Sequence, residues 1–447
     1  MDSDKNSMQC PAVAPRAREG QFMAGALGDR GLPKEQVVEI YSQLKAQNLP
    51  TYGPRMFRPS YFAGQDVVNV GENAFAAFVK ENWLYGRTSY PALGELEDDV
   101  LASLLGLFHT PERAGGIFTS GGTESLLLSV KIARDHARSV GSRSEPYNLV
   151  LPQTGHPAFN KAADLLGLEV RRAPRSVECL ADPEWMEAAC DDRTVMIVGS
   201  APPYPFGQID PIEALSAIAA RHRLWLHVDA CLGGMILPFL ETLGERVPPF
   251  DFRVPGVASL SVDLHKYGYA AKGISALLLR DRAAEEHART VFADWPAGLY
   301  ATPGISGTRS GGSLASAWAV MRYLGHSGFV ERTREIMGIR NEFIAGLKAI
   351  QGRILGKPDC YHFNFEIDGA DSLLLAEALT DEGWIVSSTE NPGSIQVMIS
   401  AAHKGVAPEF CAAVKSLADD IRSGRRKGTG KGAVYSKVLL KDQLEDV

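Results

Sequence analysis

From about Gly116 onward, short apolar runs alternate with helical patterns, and this alternation is the feature that most constrains the fold. The apolar runs include NLVLP, VMIVGSAP, LWLHVDA and ASLSVD, each bounded by Gly, Pro or polar residues. Segments with helical periodicity, such as TESLLLSVKIARDHARSV and PIEALSAIAARHR, lie between many of them. Apolar strands that alternate with helices predict a mainly parallel sheet covered on both faces.

The rest of the chain predicts a smaller second domain and two less ordered ends. Residues 1–60 predict an N-terminal arm followed by a helix, and residues 61–325 predict the large domain. Over residues 326–422 the segments YHFNFEID, LLLAEALTDEGW and SIQVMISA favour an α+β domain. The basic, Gly-rich segment 423–447 is typical of a tail of low order, with a partner- or anion-binding segment as the alternative.

Composition excludes several classes of protein. The 447 residues carry a formal net charge of -7, so there is no basic excess for binding nucleic acid. No apolar run approaches the roughly 20 residues of a membrane span, and the N-terminus lacks the apolar core of a secretory signal. The six cysteines are scattered, without CxxC pairs or His clusters, which predicts reduced thiols and no metal site. We therefore expect a cytoplasmic protein, with export by an atypical signal as the open alternative.

The segment FTSGGTES predicts a binding site for phosphate. Gly122 and Thr123 stand where a long helical pattern begins. Glycine lets the backbone approach a ligand, and a helix N-terminus offers free N–H groups to an anion. Ordinary helix capping is the alternative explanation. The segment is not a Walker loop, because the Gly-Lys-Ser/Thr ending is missing.

Three further side chains follow apolar strands, where ligands collect in a parallel α/β sheet. They are Asp229 in LHVDACLGG, His156 in TGHPAFNK and Lys266 in SVDLHKYGY. Each alone has an ordinary explanation, as a turn residue, a loop side chain or a solvated strand end. Together with the phosphate cradle they match pyridoxal phosphate, which has an aldehyde for lysine, a ring nitrogen for a carboxylate and a flat ring. A lysine nucleophile works best when desolvation or a nearby cation depresses its pKa.

Several long blocks of the chain resemble the group II decarboxylase family of fold-type-I pyridoxal-phosphate enzymes, and within it most closely the sphingosine-1-phosphate lyases of the soluble bacterial type. The blocks are TSGGTESLLL, HPAFNKAA, GSAPPYPFGQIDPI, HVDACLGGMILPF, DFRVPGVASLSVDLHKYGYAAKG and WPAGLYATPGISGTRSGG. They cover residues 116–313 densely, and a thinner match extends to about residue 420. The resemblance implies an aspartate-aminotransferase-like fold with a seven-stranded sheet, pyridoxal 5'-phosphate as cofactor, and a homodimer.

The resemblance also implies which residues hold the cofactor. Lys266 matches the lysine that forms a Schiff base with the aldehyde, Asp229 the partner of the ring nitrogen, and His156 the histidine that stacks on the ring. The positions that match phosphate contacts are Gly122, Thr123 and His265, together with Gly307 and Thr308, which serve the site of the neighbouring subunit. The site would therefore form between two chains.

The residues implied at the substrate include one departure from the family. Tyr61 matches a tyrosine that binds the substrate phosphate, and Tyr204 and Lys272 match positions that handle protons or bind phosphate. In NWLYGRTSYPAL, Tyr85 stands where the lyases carry a histidine in an Asn-Pro-Leu-His run. Tyrosine donates a hydrogen bond but has no positive charge near neutral pH. Either Arg87 supplies that charge or the preferred substrate differs.

The implied reaction is retro-aldol cleavage of sphingosine 1-phosphate, or of a related phosphorylated long-chain base, to a long-chain aldehyde and phosphoethanolamine. An amino-acid decarboxylase is the nearest alternative, because the same cofactor stabilises the charge left by loss of CO2. A catalytically silent regulatory protein is an alternative of another class. The presence of both Lys266 and Asp229 speaks against it.

Overall fold

The computed structural model describes residues 31–428, with the exception of residues 59 and 142. The helices are α1 (Lys34–Ala46), α2 (Gln65–Phe78), α3 (Pro91–Leu107), α4 (Gly122–Val140), α5 (Ala158–Leu166), α6 (Pro183–Ala188), α7 (Ile212–His222), α8 (Leu237–Thr242), α9 (Gly312–Ala349), α10 (Ser372–Asp381) and α11 (Ala407–Arg422). The strands are β1 (Gly115–Thr119), β2 (Asn148–Pro152), β3 (Glu169–Ala173), β4 (Thr194–Ser200), β5 (Trp225–Asp229), β6 (Val257–Asp263), β7 (Ser275–Leu279), β8 (Thr290–Phe292), β9 (Tyr300–Thr302), β10 (Gly352–Ile354), β11 (His362–Ile367), β12 (Ser387–Glu390) and β13 (Gly393–Met398). Short 3-10 turns cover Trp83–Tyr85, Arg282–His287 and Ala401–His403.

Seven strands form one large sheet in the order β1-β7-β6-β5-β4-β2-β3. Six of them are parallel to one another, and β7 is antiparallel to both of its neighbours. Residues 264–274, which join β6 to β7, contain no helix and are too few for a parallel crossover, so the chain turns back. The predicted mainly parallel, seven-stranded sheet is confirmed.

Both faces of this sheet are covered, as the apolar runs predict. Alternate residues of a strand point to opposite faces. In β4, Met196 and Val198 pack in one cluster with residues of α4 and α5, whereas Ile197 packs in another with Leu215 of α7. Every residue of β4 is buried, which explains why its sequence is apolar without interruption.

A second, antiparallel sheet in the order β10-β11-β13-β12 lies in the C-terminal part of the chain, where α10 and α11 contact one another. Helix α9 leads into it and is interrupted at Gly325, whose φ is 55° and ψ is -177°. Phe57 from the N-terminal segment stacks on His403 at a ring distance of 4.4 Å. The division of the chain into domains remains a prediction. Most of the predicted mobile arm and tail, residues 1–30 and 429–447, lies outside the described residues.

Two predictions from composition can be compared with the described part of the chain. Within residues 31–428, no helix combines the length and the apolar character that crossing a membrane requires. Five cysteines fall in this range, and all five are free thiols. Cys10 lies outside it.

Candidate active site

A cavity of about 360 Å³ opens at the edge of the large sheet where β5 and β6 end and α4 begins. It lies at the carboxyl edge of the parallel strands, where α/β proteins bind ligands. Seven of the predicted site residues line it: Gly122, Thr123, His156, Tyr204, Asp229, His265 and Lys266. The fold therefore brings together side chains that are far apart in the sequence.

Lys266 is paired with a buried carboxylate. Strand β6 ends at Asp263, and the Lys266 amine Nζ lies 2.8 Å from Oδ2 of that residue. The other carboxylate oxygen, Oδ1, accepts a hydrogen bond from the Ser275 hydroxyl. Burial is the largest single influence and opposes a charge on the amine, but the charge and hydrogen bond of Asp263, together with Tyr61 and Cys231, raise the pKa of Lys266 well above its ordinary value. The depressed pKa that favours a lysine nucleophile is therefore not found.

Asp229, at the end of β5, is fixed by its own neighbours. The backbone N–H of Cys231 donates to Oδ1 of Asp229 at 3.1 Å. The Ser261 hydroxyl lies 3.4 Å from the same oxygen and 3.3 Å from Nε2 of His227. Burial lowers the pKa of His227 to about 4, so that ring is neutral. These hydrogen bonds orient the Asp229 carboxylate toward the cavity. None of the groups in this network is a cation.

The predicted phosphate cradle lies at the N-terminus of α4, which begins at Gly122. The first N–H groups of a helix have no partner within the helix, so they are available to an anion. At Gly122 a Cβ atom would lie 3.0 Å from Sγ of Cys231 and 3.1 Å from both carboxylate oxygens of Asp263. A larger residue there would push these neighbours, and only glycine lets the backbone lie this close to them.

Glu124 joins the cradle to a distant part of the chain. Its carboxylate accepts hydrogen bonds from the backbone N–H of Ser120 at 2.7 Å and from the hydroxyl of Ser120 at 2.6 Å. The other oxygen accepts from the N–H and hydroxyl of Ser306, at 3.2 and 2.8 Å. These bonds fix the residue that precedes Gly307 against the first turn of α4.

Two histidines on the cavity wall have defined tautomers. Nδ1 of His156 accepts a hydrogen bond from the N–H of Ala158 at 3.1 Å, and Nδ1 of His265 accepts one from Ile274 at 3.3 Å. Burial lowers the pKa of both rings. Both are therefore neutral near pH 7 and carry their proton on Nε2. His265 can donate that proton in a hydrogen bond to an anion, and the ring of His156 offers a flat, uncharged face.

Lys272 and Tyr61 form a pair beside this cavity. The Lys272 amine donates to the carbonyl oxygen of His265 at 3.0 Å and lies 4.5 Å from the centre of the Tyr61 ring. Burial and the nearby charge of Lys266 lower the pKa of Lys272 to about 8. Tyr61 is buried, and its ring meets that of Tyr267 edge-on at 5.1 Å. The two residues predicted at the substrate phosphate are thus neighbours.

Tyr204 lies on the cavity wall in the loop that follows β4. It is partly buried, and its carbonyl oxygen accepts a hydrogen bond from the side chain of Gln396 in β13. This bond fixes the Tyr204 backbone against the C-terminal sheet. The C-terminal part of the chain thus helps to hold the loop that carries this phenol.

Besides Tyr61 and Lys272, three predicted residues are not part of the cavity wall: Tyr85, Gly307 and Thr308. They belong to two short segments, residues 82–85 and 307–310, which we call the outer cluster. The side chain of Asn82 donates to the Thr308 hydroxyl at 3.3 Å, and the N–H of Trp83 donates to the carbonyl of Arg309 at 2.8 Å. The guanidinium of Arg309 lies 4.3 Å from the centre of the Trp83 ring. The outer cluster is therefore one unit, and the Tyr85 side chain is exposed on it.

Arg87, the candidate to supply the missing histidine charge, is paired with a carboxylate. Its guanidinium donates two hydrogen bonds to the carboxylate of Asp98, at 2.6 and 2.7 Å. These bonds lower the pKa of Asp98 and keep the pair ionised. This ion pair is exposed to solvent, so both explanations for Tyr85, a charge from Arg87 or a different substrate, stay predictions.

Among the cavity-wall residues that sequence reasoning missed are Asp263 and Cys231. A signal was present for Asp263, because a charged residue that ends an apolar strand three positions before a lysine can pair with it. No comparable signal existed for Cys231, whose thiol contacts Ser261 at 3.3 Å across two strands.

The side chains of the cavity fit pyridoxal phosphate. A carboxylate, an amine, a neutral imidazole face and a helix N-terminus all meet in one space, and the packing around Gly122 keeps the cradle open to the backbone. These are the groups that a ring nitrogen, an aldehyde, an aromatic ring and a phosphate need. The residue roles remain predictions.

Comparisons with known proteins agree with this chemistry. Residues 23–356 match the family described as the pyridoxal-dependent decarboxylase conserved domain. The sphingosine-1-phosphate lyase of Oryza sativa subsp. japonica is 35% identical over 400 residues, which are 87% of this chain and 73% of the relative. Sphingosine-1-phosphate lyase 1 of Rattus norvegicus is 36% identical over 411 residues, 91% of this chain and 72% of the relative.

A solved structure is similar over almost the whole chain. The sphingosine-1-phosphate lyase of Burkholderia pseudomallei has a TM-score of 0.85 and 35% identity, covering 90% of this chain and 94% of that one. The predicted fold class, family and cofactor are thereby confirmed. The chain belongs to the pyridoxal-dependent decarboxylase family and, within it, to the sphingosine-1-phosphate lyases.

Proposed function

We propose that this protein is a pyridoxal-phosphate-dependent aldehyde-lyase that cleaves sphingosine 1-phosphate, or a related phosphorylated long-chain base, to a long-chain aldehyde and phosphoethanolamine. The observation that carries this choice over a decarboxylase is the pair of Lys272 and Tyr61 beside Lys266. A substrate phosphate needs a cation, and Lys272 is protonated below about pH 8. A decarboxylase substrate has no phosphate to bind there.

The cavity residues act on the two ends of the reacting system. When bound, pyridoxal phosphate supplies an electron sink for the electron pair that remains as the Cα–Cβ bond breaks. Asp229 would hold a proton on the ring nitrogen, and the neutral ring of His156 would pack against the ring face. His265 would donate from Nε2, and the N-terminus of α4 would donate backbone N–H groups, to the cofactor phosphate. Lys266 carries the amine that would hold the cofactor through its aldehyde until the substrate amine takes its place.

We assign proton handling to Tyr204 and phosphate binding to Lys272. Cleavage removes the proton of the hydroxyl next to the amine-bearing carbon, expels the aldehyde, and returns one proton to that carbon. Tyr204 lines the cavity, which favours proton handling, whereas Lys272 lies beside Tyr61, which favours phosphate binding. The pKa of about 8 also lets Lys272 exchange a proton near neutral pH.

We further infer a homodimer in which the outer cluster of one chain completes the cavity of the other. Helix α1 has no buried residue, and Phe292, Trp295 and Leu299 near the β8–β9 hairpin are exposed in the single chain. Apolar surface of this kind is typical of an interface. Because Asn82 bonds to Thr308, Tyr85 and Thr308 would reach the same neighbouring site. A cytoplasmic location remains a prediction of the sequence.

The test is incubation of the purified protein with sphingosine 1-phosphate and quantification of both products. We expect long-chain aldehyde and phosphoethanolamine in equal amounts, and no product from the Lys266→Ala variant. Release of CO2 from an amino acid without any aldehyde would identify a decarboxylase instead. Failure to bind the cofactor at all would favour the silent regulatory protein.

A further inference from the structure

We propose that Asp263 is the counter-ion of Lys266, and that it holds the lysine amine as an ammonium ion at the cavity wall whenever the amine is not bonded to the cofactor. The proposal rests on the proposed role of Lys266, but it assigns a positioning role to a residue that the family resemblance leaves without one.

The geometry of the pair supports this role. Nζ of Lys266 lies 2.8 Å from Oδ2 of Asp263, and the carboxylate is almost completely buried. A buried carboxylate is costly unless it is paired and hydrogen-bonded. Ser275 donates to the other oxygen, and Nε2 of His265 is 3.8 Å from Oδ2. Because the His265 ring is neutral, Lys266 provides the positive charge that balances Asp263 among the described residues.

The position of Asp263 is also fixed by the sheet. It is the last residue of β6 and pairs in register with Ser275 of β7, so the antiparallel turn of the chain brings the Ser275 hydroxyl to the carboxylate. Both carboxylate oxygens would lie 3.1 Å from a Cβ at residue 122. The carboxylate therefore lies next to the predicted phosphate cradle and is held between Ser275 and Lys266.

Of the carboxylates that line the cavity, Asp263 forms the ion pair with Lys266, whereas Asp229 is hydrogen-bonded to Cys231 and Ser261 and Glu124 to Ser120 and Ser306. Other titratable groups that interact with Lys266 electrostatically include Tyr61, Cys231, His156, Lys272 and His362. Burial raises the pKa of the Cys231 thiol and lowers the pKa of His156 and His362, so these three are neutral near pH 7. Lys272 is itself a cation below about pH 8 and repels Lys266.

This pairing has a chemical consequence. An ammonium ion cannot attack an aldehyde, so Lys266 must first give one proton to a base in solution. The neutral amine then forms a C=N bond with the aldehyde carbon, and the aldehyde oxygen leaves as water. Because Asp263 stabilises the ammonium form, it slows the capture of the cofactor near neutral pH. The same contact retains the amine at the wall after the substrate has displaced it.

The experiment measures how fast cofactor-free protein captures pyridoxal phosphate covalently, from the rise in visible absorbance, between about pH 6 and about pH 10. For the native chain we expect the rate to rise about tenfold per pH unit, following the neutral amine, without levelling below about pH 9. In the Asp263→Asn variant, the rate of capture near neutral pH should be higher by on the order of tenfold. This rate should stop rising at a lower pH than the rate of the native chain. An Asp263→Asn profile that coincides with the native one would overturn the proposal.

Two controls separate the effect of charge from an effect on structure. Ser275→Ala removes a hydrogen bond from Asp263 but leaves the carboxylate, so its profile should stay close to the native one; a shift as large as that of Asp263→Asn would contradict a role of the charge. The second control uses 4'-deoxypyridoxine 5'-phosphate, which has no aldehyde. The pH dependence of its binding should be the same in Asp263→Asn as in the native chain. A changed dependence there would assign the effect to the phosphate instead.

The outcome stays decisive even if Asp263→Asn fails to fold. A native profile that levels below about pH 8 would show that Lys266 is not held as an ammonium ion, and would overturn the proposal without any variant. Lys266→Ala should show no covalent capture. Capture by that variant at the native rate would refute the role of Lys266 itself, which is a different failure from an unchanged Asp263→Asn profile.

Discussion

The cavity and the outer cluster carry the same predicted site but are built in different ways. Asp229 and Asp263 are the last residues of two adjacent strands, and both are buried within the register of the large sheet. The outer cluster consists of a 3-10 turn and a loop held by a few hydrogen bonds, with Tyr85 exposed. Groups that need fixed geometry lie on strands, and groups that set specificity lie on loops. The cavity is formed within one chain, whereas we propose that the outer cluster acts on the cavity of a second chain.

The largest effect should come from the cavity. Asp229→Asn keeps the shape of the side chain and loses its charge, so the electron sink is weakened and kcat should fall by on the order of 10²- to 10³-fold. Steady-state kinetics at saturating cofactor measure this loss. Asp251→Asn is the matched control, because Asp251 is equally buried but pairs with His109 and Arg253 far from the cavity wall. That control should lower Tm and leave kcat of the folded protein unchanged; equal losses of kcat in both variants would contradict the role of Asp229.

An effect of intermediate size is expected at Lys272, the predicted contact of the substrate phosphate. Lys272→Met removes the cation, so KM for sphingosine 1-phosphate should rise about tenfold or more, with a smaller change in kcat. In the native protein KM should also rise as pH increases through about 8, because Lys272 is charged below its pKa and neutral above it. The exposed Lys161 on α5 provides a control variant, Lys161→Met, without effect. A native KM that is constant across this pH range would argue against phosphate binding by Lys272.

The smallest effect should come from the outer cluster. Tyr85→His restores the residue of the lyases and adds a group that is charged below about pH 6.5, so kcat/KM for the phosphorylated substrate should rise by roughly twofold to fivefold at mildly acid pH. The pH dependence of kcat/KM checks this prediction. Tyr323→His, at an exposed position of α9, is the matched control. An identical response of the two variants would show that Tyr85 does not face a substrate.

The sequence predicted the sheet and seven residues of the cavity wall because both follow local patterns. Fully buried strands need uninterrupted apolar runs, and the residue after each run falls at the carboxyl edge, so Asp229, His156 and Lys266 were found together. The direction of β7 depends on the length of a connection that has no helix, which the apolar pattern alone does not reveal. It is this antiparallel turn that brings Ser275 to Asp263.

Contacts between distant residues were beyond the reach of the sequence. The hydrogen bonds of Arg87 to Asp98 join two side chains on separate elements. The raised pKa of Lys266 depends on its contact with the buried carboxylate of Asp263. The link from Glu124 to Ser306 spans 182 positions. No periodicity records such contacts, because they arise only when the elements pack.

Subunit complementation tests most directly the claim that one active site combines the cavity of one chain with the outer cluster of another. Lys266→Ala inactivates the cavity, and Gly307→Asp places a negative charge where the outer cluster would meet the cofactor phosphate, so each variant alone should be inactive. Co-expression in equal amounts gives mixed dimers in about half of the population, each with one of its two sites intact, so about a quarter of the native activity should return. Mixtures that stay as inactive as the separate variants, although mixed dimers are present, would contradict the shared site.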